Sequence, residues 1–247
     1  MKKIAIITGA SSGIGRQIAL DLSKSGHECV LLGRGLEKLK SIHTETLNSK
    51  IYQIDLNSPK SIQTFISKFL KDFEAVENAN VILINNAGIV DRESFESSSI
   101  DSWNTQFQTN LFGPVSLTMG LIGFLKKQSV GKIINISSTL GIKPILETSA
   151  YSASKAAMNS WTMSLALELS KYKISVNAIC PGIVETPLQS FYQTEDLSLR
   201  TTLNQMQPLG RIGTTKDISE LVLFLSSDKC SWMTGSILPI DGGILLG

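Results

Sequence analysis

The fold is indicated most clearly by residues 3–15, which read KIAIITGASSGIG. The apolar, β-branched start predicts a buried strand, and residues 17–22 (QIALDL) have the spacing of a helix. Glycines are needed where a backbone turns sharply and a pyrophosphate approaches the amides at a helix N-terminus. The turn therefore predicts a phosphate site, with an ordinary strand-to-helix turn as the alternative. Its candidate binding residues are Gly9, Ser11, Ser12, Gly13, Ile14 and Gly15.

Short apolar runs recur along the chain, and segments with helical periodicity follow them. The predicted strands are Lys3–Ile7, Cys29–Leu32, Ile51–Ile54, Val81–Ile84, Lys132–Ile136, Ile174–Ala178 and Ser236–Ile240. The predicted helices begin near Gly13, Leu36, Pro59, Asp101, Tyr151 and Thr215. This alternation indicates right-handed crossovers and a parallel sheet with helices on both faces. We expect one α/β domain over residues 1–247, with a doubly wound sheet in the three-layer Rossmann arrangement.

Residues 186–211 interrupt this alternation. The segment is polar, rich in Gln, Thr and Ser, and has no clear strand. Long irregular insertions in compact domains are often lids or binding loops, so we expect a substrate-binding loop here. Its candidate apolar lining is Leu188, Phe191, Tyr192, Leu197, Leu199 and Met206, with packing of the loop onto the core as the alternative.

The composition argues against several classes of protein. Apolar residues make up 42% of the chain and charged residues 18%, with a formal net charge of +2, so no clustered basic face for nucleic acid is expected. The apolar run near the N-terminus ends at Thr8, too early for a signal peptide, and no later run approaches the roughly 20 apolar residues of a membrane span. We expect a cytoplasmic protein that binds neither nucleic acid nor membrane.

The three cysteines, Cys29, Cys180 and Cys230, form no C-x-x-C pair and lie in or beside apolar segments. They are interpreted as buried, reduced thiols. His27 and His43 have no carboxylate or cysteine at ligand spacing, so no metal site is predicted.

The end of the second predicted strand bears on the choice of nucleotide. An acidic residue at this position binds a ribose 2′-hydroxyl, whereas a nearby arginine accommodates a 2′-phosphate. Gly33 occupies the acidic position and Arg34 follows it, which favours NADP(H) over NAD(H). Arg16, on the first helix, is a second candidate for the same phosphate. A solvated surface charge is the alternative for both arginines.

Acid–base chemistry is indicated by Ser138, at the end of a buried strand, and by Tyr151 and Lys155, which share a helix face. A tyrosine with a pKa of about 10 is a poor acid at neutral pH. We expect the Lys155 ammonium and the helix dipole to lower the pKa of Tyr151, and Ser138 to donate a hydrogen bond to a substrate oxygen. The alternative is an aromatic ring covered by a lysine stem.

In these features the sequence resembles the short-chain dehydrogenase/reductase family over essentially its whole length. The motifs that carry the resemblance are Thr8–Gly15, Asp55, Asn85-Asn86-Ala87-Gly88, Asn110, Ser138, Tyr151, Lys155 and Pro181–Thr186. Ser137 and Ser138 are adjacent, and the family spacing, thirteen residues before Tyr151, favours Ser138 as the catalytic serine.

The resemblance also implies roles for individual residues. Asp55 would hold the adenine edge, Asn86 and Ala87 would line the adenosine side, and Ile183 and Thr186 would contact the nicotinamide carboxamide. Lys155 would bind the nicotinamide ribose, and Asn110, in a long central helix, would hold a water in a proton relay to it. Further cofactor-binding positions that the resemblance implies are Leu56, Gly88, Tyr151, Pro181 and Gly182.

The activity that the resemblance implies is hydride transfer between NADP(H) and a ketone or secondary alcohol, with Tyr151 as general acid and base. Family substrates include 3-oxoacyl carrier proteins, polyols, sugars and other ketones. A carrier-protein substrate calls for a basic docking patch near the site entrance, for which Lys126, Lys127 and Lys171 are candidates. A catalytically idle NADPH-binding sensor is the competing class, and the intact Ser138, Tyr151 and Lys155 argue against it.

Association of subunits is also expected. The predicted helices around Asp101–Lys127 and Tyr151–Lys171 carry more apolar surface than one sheet face requires, and the tail Ile240–Leu246 is apolar. A dimer or homotetramer would cover these surfaces. The alternative is that the surfaces are internal.

Overall fold

The computed structural model describes residues 1–188 and 197–247, without the side chains of Leu197 and Leu199. The strands are β1 (Lys3–Thr8), β2 (Glu28–Gly33), β3 (Ser49–Gln53), β4 (Asn80–Asn85), β5 (Val130–Ile136), β6 (Ile174–Pro181) and β7 (Ile237–Ile240). The α-helices are α1 (Gly13–Lys24), α2 (Leu36–Glu45), α3 (Pro59–Asp72), α4 (Ile100–Phe107), α5 (Gly113–Lys126), α6 (Ser149–Leu169), α7 (Leu197–Gln205) and α8 (Thr215–Ser226). Each predicted strand is confirmed.

The seven strands form one parallel sheet in the order β3-β2-β1-β4-β5-β6-β7. The chain builds outward from β1 to β3 and then returns to add β4 on the other side of β1. This is the doubly wound Rossmann arrangement predicted from the sequence. In such sheets, ligands bind beyond the carboxyl ends of the strands, where the strand order reverses. Here that point lies between β1 and β4.

Both faces of the sheet are buried, because alternate residues of each strand point to opposite sides. Ile4 and Ile6 of β1 pack in a core beneath α3, α5 and the end of α6. Ala5 and Ile7 pack in a second core beneath α1, α2 and α8. The three-layer arrangement therefore follows from strands that are apolar on both faces.

Two helical predictions need correction. The single helix expected over Asp101–Lys127 is interrupted by a π-helical turn, Gln108–Phe112, between α4 and α5. Pro114 explains the break, since it has no amide to donate to the preceding turn. The segment 186–211 also contains a helix, α7, that its polar composition did not predict.

The thiols of Cys29, Cys180 and Cys230 are free and buried, as predicted. Burial raises the pKa of the Cys29 thiol to about 12. Among the helices that the structure describes, none combines the length and the apolar character needed to cross a bilayer.

Candidate active site

A cavity of about 740 Å³ opens at the carboxyl ends of the central strands, where the strand order reverses. The predicted site residues that line it are Gly9, Ser11, Ser12, Gly13, Ile14, Arg34, Asp55, Leu56, Asn86, Ala87, Gly88, Ser138, Tyr151, Lys155, Pro181, Gly182 and Thr186. Three predicted residues, Gly15, Asn110 and Ile183, do not line it. The fold thus gathers nearly all of the predicted positions around one space.

The glycine turn joins β1 to α1 and forms one wall of the cavity. Gly9 and Gly13 have positive φ angles of 65° and 53°, which residues with a side chain rarely adopt. Gly15 is needed for a different reason, since a Cβ there would overlap the Gly9 carbonyl and the Asn86 amide. The first amides of α1 have no acceptor within the helix, and the Ser12 side chain does not cap them. They are therefore free to bind an anion.

The second strand delivers Gly33 and Arg34 to the far end of the cavity. Arg34 is exposed, its carbonyl accepts a hydrogen bond from Gln53 Nε2 at 2.8 Å, and its guanidinium has no polar partner within residues 1–188 and 197–247. Arg16 differs, because its guanidinium pairs with Glu45 at 2.6 Å. Its expected role at a phosphate stays a prediction that this exposed ion pair does not test. Lys38 also lines the cavity, and the sequence offered no motif that would have identified it.

The residues after β3 and β4 close the same end. Asp55 is held locally, with its Oδ1 accepting from the Asn57 amide at 3.0 Å. The Asn86 side chain donates to the Thr8 carbonyl at 2.8 Å, and Thr8 Oγ1 accepts from the amides of Asn86 and Ala87 at 2.9 and 3.0 Å. Asn86 therefore fastens β4 to the glycine turn in addition to lining the cavity.

The candidate catalytic residues meet where β5 ends beside the start of α6. Because α6 begins at Ser149, Tyr151 lies in its first turn and Lys155 one turn later. The Ser138 side chain is close enough to Tyr151 to lower the pKa of its phenol, and its Oγ accepts from the Leu140 amide at 3.1 Å. Ser137 instead donates to the Lys155 carbonyl at 3.2 Å. Of the two adjacent serines, Ser138 is the one whose hydroxyl reaches the phenol.

Burial controls the titration of this pair. It raises the pKa of Tyr151 to about 12, against the opposing effect of Ser138. Burial also lowers the pKa of Lys155 to about 8. The Lys155 Nζ donates to the Ile136 carbonyl at 2.9 Å and lies 5.8 Å from the centroid of the Tyr151 ring. The expected lowering of the Tyr151 pKa was therefore wrong for the chain alone, because the cost of desolvating a phenolate outweighs the lowering effect of Ser138.

Asn110 lies in the π-helical turn and its side chain is fully engaged. Its Oδ1 accepts from the Ile89 amide at 2.8 Å, and its Nδ2 donates to the Ile89 carbonyl and Ser154 Oγ at 3.0 and 3.1 Å. These bonds hold the chain that leaves β4. Pro114, which follows this turn, has no amide to donate to a carbonyl one turn earlier.

Between β6 and the undescribed residues, Thr186 and Leu188 line the cavity. The Ile183 carbonyl accepts from the Gly213 amide at 2.9 Å, and its side chain is buried behind the wall. Phe191 and Tyr192, and the side chains of Leu197 and Leu199, lie outside the described part of the chain. Met206 is half exposed and does not line the cavity.

The lysines considered for a docking patch lie elsewhere. Lys126 ends α5 and Lys171 follows α6, so both precede the amino ends of strands. Their Nζ atoms lie 3.9 and 5.2 Å from the centroid of the Tyr172 ring. Lys127 is next to Lys126 at the same edge, opposite to the cavity. A basic patch at the site entrance formed by these residues was therefore a wrong expectation.

The comparisons with known proteins agree with this geometry. Residues 3–196 match the family model described as short chain dehydrogenase. The chain is 31% identical over 247 residues to the 3-oxoacyl-[acyl-carrier-protein] reductase FabG of Aquifex aeolicus (strain VF5), covering 98% of this chain and 97% of that protein. It is 32% identical over 243 residues to the acetoacetyl-CoA reductase of Shinella zoogloeoides, covering 98% of each chain.

Among solved structures, that of ElxO with NADP bound is similar to this chain. It has a TM-score of 0.90 and 30% sequence identity over 100% of both chains. The sequence motifs, the sheet order and these relatives lead to one conclusion. The chain belongs to the short chain dehydrogenase family and is an oxidoreductase.

Proposed function

We propose that this protein reduces a ketone to a secondary alcohol with NADPH, and catalyses the reverse reaction with NADP⁺. The observation that carries the proposal is the convergence of Ser138, Tyr151 and Lys155 on one cavity whose opposite wall is the glycine turn. A site that only binds a nucleotide has no need of a phenol that lines the cavity together with a serine and a buried lysine.

The residues present fit NADP(H). A Cβ at Gly9 would lie 2.8 Å from the Asn86 Nδ2, so only glycine leaves the turn open for a pyrophosphate at the start of α1. Gly33 offers no carboxylate to repel a 2′-phosphate, and the cations of Arg34 and Lys38 stand at that end of the cavity. The NADP that is bound in the ElxO structure supports the same choice.

The nicotinamide, when bound, supplies the hydride, and the chain supplies the proton and the positioning. The Tyr151 hydroxyl donates its proton to the carbonyl oxygen as the alcohol forms. The Ser138 hydroxyl donates a hydrogen bond to the same oxygen, on which negative charge develops. A phenol with a raised pKa holds its proton firmly until that charge appears.

Lys155 completes the proton path. A pKa of about 8 allows its amine to gain and lose a proton near neutral pH. We assign the water site of the relay to the π-helical turn around Asn110, to which Pro114 supplies no amide. The Asn110 side chain holds the turn in place through Ile89 and Ser154.

We favour small 3-oxoacyl thioesters as substrates over other ketones. This preference rests on the names of the relatives, which are a 3-oxoacyl-[acyl-carrier-protein] reductase and an acetoacetyl-CoA reductase. Carbon 3 of such a thioester is a ketone that can meet Tyr151 and Ser138 directly.

The proposal is tested by following the near-ultraviolet absorbance of NADPH with acetoacetyl-CoA, a plain aliphatic ketone and a ketose. We expect a loss of absorbance that requires the ketone, together with recovery of the matching alcohol, fastest for acetoacetyl-CoA. If NADPH binds but none of a broad panel of ketones is reduced, the hypothesis of a catalytically idle NADPH-binding sensor replaces the proposed reductase.

A further inference from the structure

A third polar residue follows the catalytic pair along the same face of α6. Asn159 lies four residues beyond Lys155, which is itself four beyond Tyr151, so the three form one stripe. Asn159 is buried, and burying a carboxamide is unfavourable unless it is hydrogen-bonded. The proposed reaction makes no use of this side chain, so its role must come from the groups to which it is hydrogen-bonded.

One end of the carboxamide holds the turn that carries Ser138. Asn159 Nδ2 donates to the Gly141 carbonyl at 3.3 Å. Gly141 ends the short 3₁₀ turn Thr139–Gly141, and its amide donates to the Ser138 carbonyl at 3.0 Å. A Cβ on Gly141 would lie 2.7 Å from the Lys155 carbonyl carbon. The turn therefore packs directly on the backbone of α6, and Asn159 ties it there.

The other end of the carboxamide is fixed by Cys180 in β6. The thiol is fully buried, and its Sγ donates to Asn159 Oδ1 at 3.6 Å. Burial raises the pKa of Cys180, so the thiol keeps the proton that it donates. With its oxygen turned toward Cys180, the carboxamide presents its NH₂ group to Gly141.

We infer that Asn159, oriented by Cys180, is a positioning residue that keeps the Ser138 hydroxyl against Tyr151 by clamping the Ser138–Gly141 turn to α6. This inference rests on the proposed ketone reduction, in which Ser138 and Tyr151 act on one oxygen. It assigns a task to two side chains that neither line the cavity nor touch the reacting atoms.

Hydrogen exchange tests the clamp without any turnover. In Asn159→Leu, the amides of Leu140 and Gly141 should exchange about tenfold faster than in the wild type, the factor expected for loss of one hydrogen bond. Thr162→Val is the matched control, since Thr162 is also buried on α6 but bonds to Asn135 and Met158. This control should leave exchange in the turn unchanged.

A double-mutant cycle tests whether the effect passes through Ser138. Asn159→Leu should lower kcat about tenfold in the wild type, with little change in the KM for NADPH. In a Ser138→Ala background, Asn159→Leu should lower kcat by less than about twofold, because no hydroxyl remains to be positioned. Should Asn159→Leu not fold, Asn159→Ser serves in its place, being too short to reach Gly141.

Cys180 provides the conservative comparison. Cys180→Ser keeps a donor for Asn159 and should retain most of kcat. Cys180→Ala removes the donor, and its kcat should fall nearly as far as that of Asn159→Leu. Equal losses of kcat from Asn159→Leu in both backgrounds, or unchanged exchange in the turn, would overturn the inference while ketone reduction stands. Faster exchange in an enzyme that reduces no ketone would instead count against the proposed reaction and leave the clamp in place.

Discussion

At the level of single residues, burial favours the neutral form of Tyr151 and the neutral form of Lys155, because it raises the pKa of the first and lowers the pKa of the second. The pKa of Lys155 is about 8 in the folded chain against an ordinary value of 10.5. Between these pH values the unfolded chain binds more protons than the folded chain, so the free energy of unfolding rises with pH through this window. The Tyr151 phenol, with its pKa raised from 10.0 to about 12, acts in the opposite direction from about pH 10 upward, at the top of this window.

Lys155→Met removes this dependence. Urea unfolding of the wild type and the variant is compared between about pH 8 and pH 10.5. We expect the free energy of unfolding of the wild type to increase relative to that of the variant as pH rises. The slope is limited to about 1.4 kcal/mol per pH unit. A flat difference, or one that moves the other way, would mean that Lys155 keeps an ordinary pKa in the folded chain.

Arg34 is the residue on which the choice of nucleotide depends. Arg34→Leu should raise the KM for NADPH by about ten- to a hundredfold, the range for losing a charge-assisted hydrogen bond, and leave the KM for NADH nearly unchanged. Arg16→Leu is the matched control, because its guanidinium already pairs with Glu45. Steady-state kinetics with both nucleotides measure this, and equal effects on NADPH and NADH would contradict the assignment.

At the level of elements, the turn between β1 and α1 leaves no room for a side chain at Gly15. Gly15→Ala would force a methyl group against the Gly9 carbonyl and the Asn86 amide. We expect a loss of about 1–3 kcal/mol in the free energy of unfolding, together with weaker NADPH binding. Gly123→Ala, in a helix position with open space around it, should be neutral or stabilising. Chemical denaturation and fluorescence titration measure the two effects.

The strands were predictable because an apolar run buried on both faces leaves a clear pattern, as in Ile4–Ile7. The break between α4 and α5 was not, because Pro114 lies in a stretch whose apolar spacing continues on both sides. Helix α7 was missed because its composition is polar. Elements whose stability comes from core contacts are thus visible in the sequence, whereas local interruptions are less so.

The same limit applies to the site. The i, i+4 spacing of Tyr151 and Lys155 brings them together on one helix face whatever the rest of the fold does. The partner of Arg16 could not be read in this way, because Glu45 is 29 residues away. The sign of the Tyr151 pKa shift was equally inaccessible, since it depends on how completely the phenol is buried.

At the level of the whole molecule, large apolar side chains remain exposed on the helices that were expected to associate. Met119 of α5 is 70% exposed and Leu167 of α6 is 80% exposed. Strand β7 ends the sheet with half-exposed residues, and Leu246 beyond it is 89% exposed. Apolar surface of this kind is typical of contacts between subunits.

We therefore predict a dimer or tetramer in solution. Light scattering coupled to gel filtration should give two or four times the mass of the chain, and Leu167→Glu should shift the mass downward by placing a charge in the contact. A monomer mass for the wild type would show that these surfaces face water.

Tyr151 as the proton donor is the central claim, and the turnover of Tyr151→Phe with saturating NADPH and the best ketone tests it most directly. We expect kcat to fall by at least about a hundredfold while fluorescence titration gives an unchanged Kd for NADPH. Tyr172→Phe, which removes an exposed hydroxyl beside Lys126, should behave as the wild type. Wild-type turnover in Tyr151→Phe with NADPH bound would contradict the account.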